Sequence, residues 1–545
     1  MLTKFLEVIH AGLERQTLTK CSHWAEKCRI MGPPLAGPWT FTYHPWLREM
    51  QDTDTELCIG QKAAQVGFTE MALNRVFYCI DIKHADCLYI LPAMHPDAHD
   101  FSASRFDPAI DLSPYLKNLF SDVKNIGHKR AGSTNLFIRG SRSRAGLKSI
   151  PISQLTLDEI DEMNQANIPL VFERQSGQIN KQTWIFSTPT VDGFGVNKWF
   201  TQSTEEHFMF ACPHCSRQTE LVFPECLVIT ADDALDIRLR ESYLICKECK
   251  HPLDHNSRSE WLKNGKWIPK FPNRDSRGFH INQLYSSTVA GRPIELAKAF
   301  LSTFVSKAAE QEFYNSKLGL PHIVMGARIN ESNIVDCISS HKNGTIIPSK
   351  LITMGIDVGS WLHYVVKEWS LPIRASGPDI NMDAKARIIE IGKVLQFTEL
   401  DVIMQKYRPN MTIIDANPER RKSYEFAQRF WGYVKLCFYG NNVNGKQINE
   451  GKDLMENMVT VDRTSWLDLT LGRYANKTVL LPVDTPLEFK ENIKALVRIY
   501  EEDSNKNPVG KYISTSSDHY AHADNYAEIA LPLAFKIGTH QNIRS

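Results

Sequence analysis

Long apolar runs that end abruptly in small or charged residues set the rhythm of the first third of the chain. Leu57-Cys-Ile leads into a glycine-bearing loop, and Met71, Leu73 and Val76 follow at helical spacing, which predicts strand, loop, helix. Ile80–Leu91, closing on Leu88-Tyr-Ile-Leu, is a second strand candidate. Ile152 and Leu155-Thr-Leu run into two adjacent carboxylates, Asp158 and Glu159, and read as the exit of a buried parallel strand. Thr183-Trp-Ile-Phe-Ser-Thr-Pro-Thr190 predicts another strand, which leaves through small hydroxyl residues.

Further along, the pattern is weaker and then resumes. Glu220–Val228 and Arg238–Leu244 predict small strands, and Trp261–Trp267 and Gly278–Tyr285 predict strands returning to the first domain. A helical stretch is expected over about 293–315. Leu351-Ile-Thr-Met-Gly-Ile-Asp357 and Thr412-Ile-Ile-Asp415 are apolar strands that each deliver one aspartate, and a helix is expected to begin at about Ser517. At the other end, Phe5, Leu6, Ile9 and Leu13 predict a helical arm. Trp39, Phe41, Tyr43 and Trp46 form an aromatic segment suited to core packing or to base stacking. The expected domains are an arm over 1–30, a first α/β core over 31–205, a cysteine-bearing insertion over 206–260, the rest of that first domain over 261–335, a linker over 336–350 and a second α/β domain over 351–545.

Composition sharpens this only locally. A chain of 545 residues exceeds one ordinary core, and a net charge of +1 gives no overall field, so a polyanionic partner has to be met by patches. One patch stands out: no acid occurs between Val123 and Leu157, while Lys124, Lys129, Arg130, Arg139, Arg142, Arg144 and Lys148 all do. That imbalance favours phosphate contact, with nucleic acid or ATP as partner. No apolar run approaches the roughly 20 residues of a membrane span, so an intracellular protein is expected.

The candidate chemistry falls into three groups. The first is a phosphate loop, Gly60-x₆-Gly67-x-Thr69, one residue longer than the usual frame and with Phe68 where its lysine normally stands. Lys62 at the loop's start is positioned to reach the phosphates instead, Gly67 admits close backbone approach, and Thr69 offers a hydroxyl to Mg²⁺. Asp158 suits Mg²⁺ and Glu159 an attacking water, while Ser187 and Thr188 suit sensing of the γ-phosphate. The second is Cys212-x-x-Cys215 with Cys246-x-x-Cys249, two knuckles spaced to clasp one tetrahedral Zn²⁺. The third is late and acidic: Asp357 and Asp415 at strand tips, with Asp518 and His522 on one face of a helix and Asp524 rotated away. Acids on strand, strand and helix suit a two-metal nuclease.

In order, Gln61-Lys-Ala-Ala-Gln-Val-Gly-Phe-Thr-Glu70, Gly140-Ser-Arg-Ser-Arg-Ala-Gly-Leu147, Leu155–Asp161 and Phe186-Ser-Thr-Pro-Thr190 resemble the large subunit of tailed-bacteriophage terminases, especially the phage-lambda-like branch. The resemblance implies an α/β chain with a P-loop NTPase-type ATPase domain, a zinc-ribbon insertion and a ribonuclease-H-like nuclease domain. It implies ATP held around Gly60, Lys62, Gln65, Gly67 and Thr69, with Asp158 and Glu159 as the metal-binding and water-activating acids and Ser187-Thr188 as the coupling motif. It also implies nuclease Mg²⁺ or Mn²⁺ on Asp357 and Asp415, with Asp518, His522 or, failing those, Asp524 as the third ligand. Double-stranded DNA, a small subunit, a procapsid portal and a homo-oligomeric ring are the implied partners, in the cytoplasm of a bacterial host. Arg142 or Arg144 is a candidate arginine finger. Two rivals remain open on the residues alone: a helicase-nuclease of DNA repair, and a zinc-dependent DNA-binding protein with a degenerate ATP site.

Overall fold

The computed structural model describes residues 18–121, 123–148, 150–345, 351–371, 380–440, 443, 445, 447–451, 457–502 and 508–542. Most of the expected N-terminal arm, including Phe5, Leu6, Ile9 and Leu13, lies outside the described residues. The chain divides into two compact units, Met1–His322 and Ile323–Ser545.

The first unit is built on an eleven-stranded sheet. Its parallel centre consists of β1 (Leu57–Lys62), β2 (Cys87–Leu91), β3 (Thr134–Gly140), β4 (Gln154–Asp158), β5 (Gln182–Ser187), β6 (Glu206–Ala211) and β7 (Arg277–Ile281), in the spatial order β6-β7-β1-β5-β4-β2-β3. Every residue of β2, β4 and β5 is buried, as expected for strands covered on both faces. Helix α1 (Phe68–Asp81) follows β1, and the chain then crosses to β2, past β5 and β4. This leaves a crevice at the carboxyl ends of β1, β5 and β4, where open α/β sheets bind ligands. The predicted second strand is shorter than expected, because Ile80 and Asp81 still belong to α1.

Between β6 and β7 the chain forms a small three-stranded sheet from Leu227–Val228, Tyr243–Ile245 and Pro252–Leu253. The strand expected over Arg238–Leu244 is largely a 3₁₀ turn, Ile237–Glu241, because Asp236 caps it by accepting from the Arg238 N–H. Trp261 sits in a short helix, Arg258–Leu262, with the strand confined to Lys266–Pro269. The helical stretch after Pro293 is broken into Pro293–Ser302, Lys307–Glu312 and a π-turn at Phe313–Lys317.

The second unit has an eight-stranded mixed sheet. Strands β8 (Leu351–Val358), β9 (Leu362–Ser370) and β10 (Lys385–Val394) form an antiparallel meander, and β11 (Met411–Asp415), β12 (Val434–Tyr439) and β13 (Met458–Val461) add to β8 in parallel. Helix α2 (Arg463–Ala475) precedes α3 (His519–Asn542) in the chain, and α3 lies across β8. The approach is so close that a Cβ on Gly355 would collide with the Ala523 carbonyl and the Ala527 nitrogen. The unit begins earlier than position 336: Ile329 and Ile334 are buried with Leu467, Leu471 and Phe489. Burying those side chains makes 323–335 part of the second unit.

Candidate active sites

Lys62 ends β1 and Glu159 follows β4, and their side chains meet: Lys62 Nζ donates to Glu159 Oε1 at 2.9 Å. In an extended strand, adjacent Asp158 and Glu159 side chains point to opposite faces. Here Glu159 adopts a left-handed backbone (φ 61°, ψ 54°), which turns the second carboxylate toward β1. Ser187 at the tip of β5 donates its hydroxyl to Glu159 Oε2 at 3.0 Å, and the Thr188 N–H approaches the same oxygen at 3.4 Å. Asp158 Oδ2 accepts from the Tyr89 hydroxyl at 2.6 Å and lies 3.4 Å from Thr69 Oγ1. The other oxygen of Asp158, Oδ1, is buried and has no hydrogen-bond partner.

Electrostatics separates the two acids. Burial raises the Asp158 carboxyl, with help from Glu159, to about 7. Burial also pushes Glu159 upward, but Lys62 and the Ser187 and Thr188 donors outweigh it and hold that carboxyl below its ordinary range. Burial pulls the Lys62 amine down, and Glu159 and Asp158 more than offset it, so the amine stays charged above its usual range. A bare buried oxygen on Asp158 beside the Thr69 hydroxyl is a cradle for a hard cation.

Gly67 caps α1 in a left-handed conformation (φ 87°), and Gln65 also has positive φ (58°), so this loop turns sharply into the helix N-terminus. The free N–H groups of the first turn of this fourteen-residue helix lie at the crevice. Gly60, expected beside the phosphates, has a packing role of its own. Gly60 lies within β1, and a Cβ there would come within 2.5 Å of the Phe68 ring, which is buried against Phe186. Its smallness makes room for Phe68 in the core. Arg142 and Arg144, in the loop after β3, are exposed.

Three features of this site were given no role by the sequence. Tyr89 holds Asp158, as described above. Asp161 accepts from the Thr190 N–H at 2.8 Å and the Val196 N–H at 2.7 Å, which pins the loop after β5. The Thr190 carbonyl in turn accepts from the side-chain amide of Asn315 (2.9 Å), the Gln311 amide (3.3 Å) and the backbone N–H of His322 (3.1 Å). The same segment touches the phosphate loop, since the Gln61 amide donates to the Gly319 carbonyl at 3.0 Å and the Ala64 N–H to the Ser316 carbonyl at 2.8 Å.

The four cysteines come together as spaced. Their sulfurs all lie within 4.8 Å of one another, with Cys212 Sγ and Cys249 Sγ 3.8 Å apart. Sulfurs bonded to one ion at about 2.3 Å in a tetrahedron are separated by about 3.8 Å. The knuckles are built alike. Cys212 and Cys246 each donate an N–H to the carbonyl of the residue five positions on (Arg217 and His251, both 2.9 Å), and Ser216 and Lys250 turn with positive φ (58° and 60°). The His214 and Glu248 N–H groups each lie 3.4 Å from a cysteine sulfur, as donors that favour thiolate.

In the second unit, Ile356 of β8 pairs with Ile414 of β11, so Asp357 and Asp415 emerge side by side from parallel neighbours. Burial, reinforced by Asp357, raises the Asp415 carboxyl to about 6 against the Asn417 N–H, His522 and the Tyr526 hydroxyl. Asp518 accepts from the Ser514 hydroxyl and lies 3.2 Å from His522 Nε2, while His522 Nδ1 meets the Tyr439 hydroxyl at 3.0 Å. Asp524 does not join this site. It is fully buried on another face of α3, 3.0 Å from Lys367 Nζ and 2.9 Å from the Tyr474 hydroxyl, beside a Glu528–Arg473 pair. The sequence missed two residues that do join it. His519 Nδ1 lies 2.8 Å from Asp357 Oδ2, and His363 stacks on the His519 ring.

Two family models match the chain in succession. The model described as phage terminase large subunit gpA, ATPase domain, matches residues 34–267, and the one described as terminase large subunit gpA, endonuclease domain, matches residues 276–502. The chain belongs to the phage terminase large subunit family. As a terminase it joins an ATPase domain to a metal-dependent endonuclease domain and works in DNA packaging, which removes the repair-helicase and binding-only readings. The chain is similar to the crystal structure of the HK97 bacteriophage large terminase, at 10% identity over 93% of this chain and 98% of that one, with a TM-score of 0.49. It is also similar to the large terminase of a thermophilic bacteriophage, at 11% identity over 87% and 93% with a TM-score of 0.29. A third is the nuclease of thermophilic phage G20c with bound magnesium, at 12% identity over 36% and 94% with a TM-score of 0.23. No curated protein matches the chain. No helix among the described residues of this terminase is long and apolar enough to cross a membrane.

Proposed function

We propose that this terminase hydrolyses ATP between β1, β4 and β5 and cuts DNA at the paired aspartates of β8 and β11. The observation that carries the first half is the Lys62–Glu159 pair beside the bare Asp158 oxygen. In this reading Lys62, the Gln65–Gly67 turn and the start of α1 bind the phosphates, and Thr69 and Asp158 hold Mg²⁺, which neutralises phosphate charge when bound. Lys62 leaves Glu159 for phosphate, and Glu159 is then free to accept a proton from the attacking water. Ser187 and Thr188 stay on Glu159 and register its movement.

The ribbon cysteines hold Zn²⁺ as a closed structural site; four thiolates at tetrahedral spacing support this. In the nuclease, Asp357 and Asp415 present two adjacent carboxylates to a divalent cation, and their mutual repulsion is what a cation relieves. The family further supports concatemeric double-stranded DNA as substrate and a small subunit, a procapsid portal and a homo-oligomeric ring as partners, acting in the bacterial cytoplasm. Exposed Arg142 and Arg144 are the candidates to reach a neighbouring subunit's nucleotide.

Parallel assays test the division of labour. DNA-stimulated ATP hydrolysis and plasmid cleavage are compared for wild type, Glu159→Ala and Asp357→Ala. Each variant is expected to lose one activity and keep the other. Loss of both in Glu159→Ala, or of neither, overturns the assignment.

A further inference from the structure

What the fold brings to Asp357 is not only a second carboxylate but two imidazoles. His363 stands directly opposite Asp357 in the β8–β9 ladder, and His519 opens α3. One donor atom from each of Asp357, His363 and His519 falls within 4.8 Å of the others. The two rings are nearly parallel, 8° apart with centroids separated by 4.8 Å. His363 is buried, and its Nδ1 has no hydrogen-bond partner. The contact between His519 Nδ1 and Asp357 Oδ2, 2.8 Å, is close to the roughly 3 Å between neighbouring donors on an octahedral ion with bonds of about 2.1 Å. Asp524 is committed to Lys367 and offers this site no oxygen.

We propose that His519 and His363 ligate the nuclease metal together with Asp357, which makes this a mixed nitrogen–oxygen site that takes Mn²⁺ in preference to Mg²⁺. The inference rests on the nuclease reading of the second unit. Its chemistry is general: Mg²⁺ is a hard ion served by oxygen donors, and imidazole favours first-row transition ions. The same donor set is absent from the ATP site, where Asp158 and Thr69 offer oxygen alone.

The test is Mn²⁺ alone, added to the full-length protein without nucleotide and observed by pulsed electron paramagnetic resonance. Imidazole nitrogen couplings are expected in wild type. His519→Asn and His363→Phe are each expected to remove one coupling and to weaken Mn²⁺ at least about tenfold, a loss that even outer-shell changes reach. His519→Asp, which restores oxygen, is expected to move the preference toward Mg²⁺ in a competition titration. Thermal melts confirm that each variant is folded. Bound Mn²⁺ without nitrogen coupling, couplings unchanged in both variants, or no Mn²⁺ bound overturns the proposal. The nuclease reading fails separately, if wild type cleaves DNA with neither metal or if cleavage is unchanged in Asp357→Asn.

Discussion

Lys62 and Glu159, 97 positions apart in sequence, form an ion pair in the nucleotide crevice, with Nζ 2.9 Å from Oε1. On the proposed reading, phosphate binding competes with a carboxylate for the same amine. Glu159→Gln is expected to bind ATP at least as tightly as wild type, because that competition is gone, and to hydrolyse it at least about 10²-fold more slowly. Lys62→Ala is expected to lose nucleotide affinity itself. Binding of a fluorescent ATP analogue, read beside single-turnover hydrolysis, separates the two effects.

Purified chain is expected to carry one zinc per molecule, and Cys246→Ser to carry none. Leu227, Leu244 and Leu253 of the ribbon join the core of the first unit, so loss of a closed metal site is expected to loosen that unit as well as the ribbon. Metal analysis by mass spectrometry, paired with a thermal melt showing a lowered first transition in Cys246→Ser, checks this.

Beneath α3, Glu528 is buried between Arg473 and Lys367, with Asp524 and Tyr474 alongside. Burial alone would raise the Glu528 carboxyl; the two cations overcome it and hold it at about 2, against an ordinary 4.5. A depressed carboxyl contributes stability that is complete above pH 4.5 and is lost as pH falls toward 2. Glu528→Ala is expected to cost about 3–5 kcal/mol at neutral pH, since it strands buried cations. It is also expected to flatten the loss of stability between those two pH values. Urea unfolding of the second unit across that range gives both quantities.

Gly319 has φ +65°, and a Cβ there would lie 2.6 Å from the Ala63 nitrogen and 2.8 Å from the Lys62 carbonyl carbon. Gly319→Ala must push the loop that carries Lys62, and is expected to lower ATP hydrolysis at least about tenfold. Metal-dependent DNA cleavage by the same protein is expected to persist.

Strand exits and knuckles were legible in the sequence because their signals are local. Buried strands are mostly apolar, so Asp158, Asp357 and Asp415 announce themselves as the acids at or next to their ends. Cys-x-x-Cys spacing is a property of one turn. What was not legible depends on contacts between distant segments. Which face of α3 meets β8 depends on the gap left at Gly355, and that phase places His519 and His522 near the acids and Asp524 with Lys367. Gly60, read as part of a phosphate motif, also makes room for the Phe68 ring, a contact that its neighbours in sequence do not announce. The unit boundary moved to His322 because Ile329 and Ile334 pack with residues more than a hundred positions downstream.

His322 is the last residue of the first unit, and its N–H rests on the Thr190 carbonyl, two residues beyond the Thr188 N–H that faces Glu159. The segment that ends the first unit is thus tied, through the Thr190 carbonyl with Asn315 and Gln311 as side struts, to backbone two residues from the N–H on Glu159. With Glu159 as the proton acceptor proposed above, a displacement of 311–322 reaches that carboxylate through the backbone of 188–190, and the rate of hydrolysis is expected to respond to it.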